Sequence, residues 1–212
     1  MRSTVSATPT HTHTMARCRE FDSDEALDQA LNAFWLKGYA ATSMTDLLAA
    51  MGLSKSSFYD CFGSKREVLL AALSRYSARE LAETRCHFNA AGPVAPLLAA
   101  WISHGIDPEA RRPSERCGCL MVNVAVELAP HDPEIEARVR QHIDSLAALL
   151  AEVLMRAQCE RSISAARNPA QAADALLNLI AGLQVLAKGG VEGARLAAIA
   201  DAHLDCLLEH RR

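Results

Sequence analysis

Three helix-start signals and two glycine stops fall within one short stretch, residues 38–67, and this punctuation excludes a sheet there. Ser43 stands three residues before Asp46, a spacing in which the hydroxyl accepts one orphan amide of the first turn and the acid accepts another. Gly52 supplies the stop, because glycine enters the left-handed conformation that ends a helix without a Cβ penalty. Ser54 opens a second short helix reaching about Cys61, and Ser64 with Glu67 repeats the cap pattern before a long helix to about His87. Two short helices joined through Gly52-Leu53-Ser54 form a helix-turn-helix.

The same periodicity covers the rest of the chain. Upstream, Leu27, Leu31 and Trp35, flanked by Ala26, Ala30 and Phe34, recur at four-residue spacing after an acidic first turn and end at Gly38. Downstream, helices are expected over about 93–104, 119–128, 133–158, 169–188 and 192–209, with a Pro- and charge-rich loop at 107–116. Asn168 and Pro169 form a cap followed by a first-turn proline. No alternating apolar run is long enough for a strand, so the expected fold class is all-α. Residues 1–19 are Ser/Thr/His-rich and read as a disordered tail; Met15 is a candidate true start, and the His11 and His13 pair is expected to be idle. The organisation expected is this tail, a helix-turn-helix domain over 20–66, and a larger helical domain over 67–212.

A net charge of −3 gives no global field for nucleic acid, so a DNA contact has to be local. Between Gly52 and Arg66 the bases Lys55, Lys65 and Arg66 face one acid, Asp60, which gives +2 there and leaves −5 for the remainder. In a helix-turn-helix the second helix enters the major groove while neighbouring helix ends and hydroxyls hold phosphates. Here Lys55, Ser56 and Ser57 occupy the N-terminal end that meets base edges, Tyr59 offers a phenol to phosphate, and the backbone amide at Lys65 offers a further phosphate site. Phe58, Phe62 and Cys61 read as packing.

The stretch "GYAATSMTDLLAAMGLSKSSFYDCFGSKREVL" resembles the N-terminal domain of TetR-family transcriptional regulators. Its elements stand in register: Gly38-Tyr39, Thr42-Ser43, Ala49 and Gly52, Ser54-Lys55, Phe58-Tyr59, Phe62 and Ser64-Lys65. The resemblance implies an all-α homodimer that binds a palindromic double-stranded operator, with Thr42 and Ser43 joining the DNA-binding set. It also implies a C-terminal domain that senses a signal and changes the separation of two reading heads. Two heads on one face of a duplex lie about 34–36 Å apart. Dimerisation is expected through the last two helices, with Leu176, Leu179, Ile180, Leu183 and Leu186 on one and Leu196, Ile199, Leu204 and Leu207 on the other.

Seven scattered cysteines in a chain of this length read as reduced thiols of a cytoplasmic protein; no signal peptide or membrane span is read. Cys117 and Cys119 are too few for a metal site, and His131 and His142 do not complete a recognised spacing, so no metal or cofactor is expected. A disulfide between residues two apart on a helix is strained. A reactive thiol and inert packing remain. "CGCLMVNVAVELAPHDPEI" with "AGLQVLAKGG" is similar to the NemR and AcuR group of TetR regulators, which respond to electrophiles and oxidants. The resemblance implies that Cys119, in Gly118-Cys119-Leu120, is the sensing thiol and that Lys188, six residues after Gly182, sits near it. A helix N-terminus and a nearby ammonium both raise the thiolate fraction. Cys117 reads as passive or as a resolving thiol.

Without a reactive thiol, the same domain reads as a reversible ligand site, with Met121, Val122, Val126, Trp101 and His104 as lining and Asn123 or His104 orienting a polar group. Glu127 and Asp144 read as surface or ion-paired residues. A helical thiol enzyme is the third reading; the chain has no Cys-x-x-Cys motif and no Cys–His pairing that supports one, so no enzyme is expected. The functional expectation is a repressor that releases its operator when Cys119 reacts, with reversible induction as the alternative.

Overall fold

The computed structural model describes residues 22–107 and 117–208. The expectations for the N-terminal tail, for His11, His13 and Met15, and for most of the 107–116 loop lie outside the described residues. The described residues form nine α-helices and a 3-10 turn, with no strand, and the fold is TetR-like. Helix α1 (Ser23–Lys37) is capped by Asp22, whose carboxylate accepts the Asp24 and Glu25 amides. Helix α2 (Met44–Met51) opens on a complete Ser43/Asp46 capping box, and Gly52 ends it at φ 65°, ψ 27°. Ser54 caps α3 (Lys55–Phe62), and Ser64 caps α4 (Lys65–Phe88). There follow α5 (Val94–Ile106), α6 (Leu120–Glu127), the 3-10 turn Ala129–His131, α7 (Pro133–Cys159), α8 (Pro169–Lys188) and α9 (Gly193–Leu207).

Two hydrophobic cores divide the molecule. One core joins the inner faces of α1, α2 and α3 to Val68–Tyr76 of α4, and also to Cys117, Cys119, Leu120, Met121 and Val124 of the α6 region and to Ile135 and Val139 of α7. The other joins Phe88 to α5, the second half of α7, α8 and α9. At roughly 1.5 Å per residue, the 24 residues of α4 run about 36 Å, enough to pass from one core to the other. The consequence for function is that α6, which begins at the Cys119 turn, is packed into the DNA-reading head.

The apolar stripes expected to pair two copies mostly face inward. Leu176, Leu179, Ile180, Leu183, Leu196, Leu204 and Leu207 are all buried within the single chain, because α8 closes the second core against α7 and α9. Leu186 and Val185 remain 41% and 53% exposed, and Ile199 is half-buried. Contrary to the expectation of no span, α8 is long and apolar enough to cross a membrane by length and composition, but its apolar face is the one filled by that core. Cys117 and Cys119 are buried thiols and Cys86, Cys159 and Cys206 exposed ones.

Candidate nucleic-acid interface and thiol site

The N-terminal end of α3 stands open. Lys55 and Ser56 are exposed and Ser57 is half-buried, with the Ser56 and Ser57 hydroxyls 3.0 and 2.9 Å from the capping Ser54 hydroxyl. Tyr59 is 46% exposed, while Phe58 is fully buried beneath it, so α3 is seated by one aromatic and presents the other. Ser43 lies at the surface of the α2 start, but its hydroxyl and backbone amide both donate to Asp46, whose carboxylate also takes the Lys37 ammonium. These bonds hold the Asp46 carboxyl far below the usual carboxylate range, Lys37 contributing most.

Packing gives Thr42, Lys65 and Arg66 polar partners within the protein. Thr42 is fully buried, and its hydroxyl donates to the Gly38 carbonyl at 2.7 Å, so it fastens the α1–α2 turn from inside. The Lys65 ammonium donates to the Tyr39 carbonyl at 2.6 Å and lies 4.2 Å from the Tyr39 ring centroid, leaving the α4 N-terminus to offer its backbone amide. Burial lowers the Lys65 pKa against an opposing pull from Glu127. Arg66 makes a two-pronged ion pair with Asp132 at 2.7 and 2.8 Å and reaches Glu134 at 2.9 Å, which raises its pKa and pulls Asp132 down to about 2. The local positive charge counted from the sequence is therefore largely paired within the protein at Lys65 and Arg66, and Lys55 stands exposed on α3.

The cysteine turn is held from two sides. Gly118 has φ +64°, and a Cβ there would come within 3.4 Å of the Gln184 carbonyl, so the turn takes a left-handed residue pressed on α8. The Trp35 indole donates to the Gly118 carbonyl at 3.0 Å. Cys119 is the N-cap residue of α6, where the positive end of the helix dipole falls, and its sulfur lies 3.6 Å from the Tyr76 hydroxyl. Tyr76 in turn packs edge-on to Trp35 and 5.9 Å from the His142 ring. Burial lowers the His142 pKa, with the Glu80 charge opposing; its Nδ1 lies 2.9 Å from the Ser77 hydroxyl.

Cys119 forms part of the wall of a cavity of about 1310 Å³, together with Trp35, Tyr76, Trp101, His104 and His142. Met121, Val122 and Val126 line the same cavity. Lys188 and Asn123 are placed differently. The Lys188 ammonium donates to Asn123 Oδ1 at 2.9 Å, and the Asn123 amide donates to the Cys117 carbonyl at 2.8 Å, so this pair braces the turn. Lys188 also lines a second, smaller cavity of about 210 Å³ with Cys117 and Gly118. The turn thus sends its two thiols to two different cavities, and the lysine sits with Cys117. Among the described residues there is no cluster of three or more metal-ligating side chains.

Glu127 was not marked by any sequence signal as more than surface or ion-paired, yet its carboxylate accepts the Tyr39 amide at 3.1 Å and the Ala40 amide at 2.7 Å. Trp35 and Tyr76 were legible only as core or periodicity, since their polar partners lie 83 and 43 residues away in the chain.

The helix-turn-helix and the helical body each match a known family. The profile of bacterial regulatory proteins of the tetR family matches residues 26–72, and that of tetracyclin repressor-like C-terminal domains matches residues 95–203. An uncharacterized HTH-type transcriptional regulator of Bacillus subtilis, YezE, is 31% identical over 68% of this chain and 74% of its own length. The Escherichia coli HTH-type transcriptional repressor ComR is 28% identical over 89% of this chain and 90% of its own. Among solved structures, a cysteine-substituted CifR on 26-bp operator DNA superposes with a TM-score of 0.76 at 26% identity, covering 88% of this chain and 97% of that one. Reduced E. coli NemR shares the fold, with a TM-score of 0.77 at 20% identity over 87% of this chain and 95% of its own. The chain belongs to the TetR family of bacterial regulatory proteins.

Proposed function

We propose that this protein is a homodimeric, DNA-binding transcriptional repressor that releases a palindromic operator when Cys119 is modified by a small electrophile or oxidant. The exposed Lys55, Ser56 and Tyr59 and the half-buried Ser57 on α3 supply the reading surface, with Ser43 and the Lys65 amide at its edges. ComR supports the repressor reading, and the CifR complex supports operator binding. Dimerisation uses the apolar surface that α8 leaves outside, including Val185 and Leu186.

The observation that carries the sensing reading is the double placement of Cys119: it forms part of the cavity wall and caps a helix packed into the reading head. With an enone, the sulfur forms a bond to the β-carbon, the alkene π pair moves toward the carbonyl as an enolate, and the thiol proton is returned to the α-carbon. The added atoms sit on a thiol that is only 8% exposed and stands at the start of α6, so they press on the packing that holds this helix. The test is operator affinity at fixed salt before and after an enone or aldehyde, for wild type, Cys119→Ser and Cys117→Ser. Release by wild type and Cys117→Ser but not by Cys119→Ser is the expected pattern; equal release by Cys119→Ser refutes the covalent reading.

One observation favours reversible induction as a second reading. Pockets for drug-sized ligands run about 300–1,000 Å³, and this cavity, at about 1310 Å³, has room for far more than a small aldehyde. A bulky ligand resting against Trp101, His104 and Cys119 would press on α6 without a bond.

A further inference from the structure

Helix α6 is tied to the DNA-reading head at both of its ends. At its start, the Gly118 carbonyl takes the Trp35 indole; at its last residue, Glu127 takes the Tyr39 and Ala40 amides. Both anchors lie on the end of α1 and the turn that follows it, so an eight-residue rod of about 12 Å runs beside the junction from which α2 departs. Two carbonyls of that turn are held as well: that of Tyr39 accepts from Lys65, and that of Gly38 accepts from Thr42. Lys65 and Thr42 belong to the head itself. Glu127 is the member of this set that comes from the signal-sensing body. The approach is close, since a Cβ on Gly38 would lie 3.2 Å from Glu127 Oε2.

We propose that Glu127 is the positioning residue through which α6 sets the reading head for operator. By holding two amides of the α1–α2 turn, its carboxylate fixes where α2 starts and hence how α3 faces the groove. A displacement of α6 from the Cys119 end is delivered to the head through this carboxylate. This role requires no contact with DNA, since the Glu127 charge would repel phosphate. The proposal rests on the sensing reading only for the origin of the displacement; the positioning role stands on the reduced protein.

The experiment uses the full chain in its reduced state. Glu127→Ala and Glu127→Gln are compared with wild type for operator affinity across a salt series and for hydrogen exchange at the Tyr39 and Ala40 amides. Losing both charge-assisted bonds is expected to weaken operator binding by about tenfold or more. Glu127→Gln, which keeps one acceptor, should fall between the two. The slope of log affinity against log salt should match wild type, because no phosphate contact is removed. Exchange should quicken at Tyr39 and Ala40 and not in the middle of α1. Operator affinity within about twofold of wild type for both variants, or unchanged exchange at the two amides, overturns the proposal. If Glu127→Ala does not fold, Glu127→Gln decides by the same measurements. Modification of Cys119 should then lower the affinity of wild type and leave that of Glu127→Ala unchanged; a full further loss in Glu127→Ala overturns the coupling step. If modification leaves wild type itself on the operator, the sensing reading fails, and the reduced-state affinities and exchange still decide the role of Glu127.

Discussion

Trp35→Phe isolates the tie between α1 and the cysteine turn. The indole is 5% exposed, donates to the Gly118 carbonyl at 3.0 Å and stacks edge-on against Tyr76 with ring centroids 5.2 Å apart. Phenylalanine keeps an aromatic edge for Tyr76 but removes the donor. The hydrogen bond contributes about 1 kcal/mol net, and the half-buried Gly118 carbonyl can turn to water, which keeps its desolvation cost at the low end. The smaller ring leaves a void beside Tyr76, worth a further ~1–2 kcal/mol. The sum, about 2–3 kcal/mol, is a substantial part of the roughly 5–15 kcal/mol that holds a domain folded. Urea unfolding followed by circular dichroism should show the midpoint fall by about 1 M at an unchanged slope of about 2–3 kcal/mol per M. Cys119 should also be alkylated faster, because the Gly118 turn that presents it has lost its anchor. A stability change under about 0.5 kcal/mol together with an unchanged alkylation rate would show that Trp35 does not hold the turn.

Two further outcomes follow from burial and charge. The folded state favours neutral His142, so its contribution to stability is complete above the unfolded pKa near 6.5 and is lost progressively as pH falls below it toward the lower folded value. Unfolding free energy measured from pH 7.5 to 5 should decline, and His142→Gln should flatten that decline; an identical pH profile would mean His142 is not held neutral. Leu186→Asp, on the exposed side of α8, should shift the protein toward monomer in sedimentation and weaken operator binding while preserving helicity, whereas Leu183→Asp, at 1% exposure, should fail to fold. A Leu186→Asp protein that remains dimeric would place the interface elsewhere.

What the sequence made legible was local. The Ser43/Asp46 box, Ser54, Ser64 and Gly52 are signals read within one helical turn, and each stands where its cap chemistry places it. The start of α6 at the cysteine turn, which no side chain caps, was legible only from the apolar run that follows it. Contacts across the fold were not. Thr42 sits beside Ser43 in the chain, yet it turns inward because the Gly38 carbonyl needs a donor. Lys65 and Arg66 read as cationic surface until Tyr39 and Asp132, which are distant in sequence, claim them. Lys188 reaches Asn123, one turn into α6, and a count from Gly182 along one helix carries no information about that pairing. The leucines of α8 have the spacing of an apolar stripe, and spacing alone does not say whether the partner surface belongs to the same chain.

The most direct test follows operator release and thiol modification in one sample. With a neutral enone added to the operator complex, the fraction of DNA released and the fraction of chains carrying an adduct at Cys119, mapped by peptide mass, are read at the same times. Release that rises in step with the Cys119 adduct, and is absent in Cys119→Ser, is the predicted result. Release that precedes any Cys119 adduct, or that tracks an adduct at Cys117, would contradict the account.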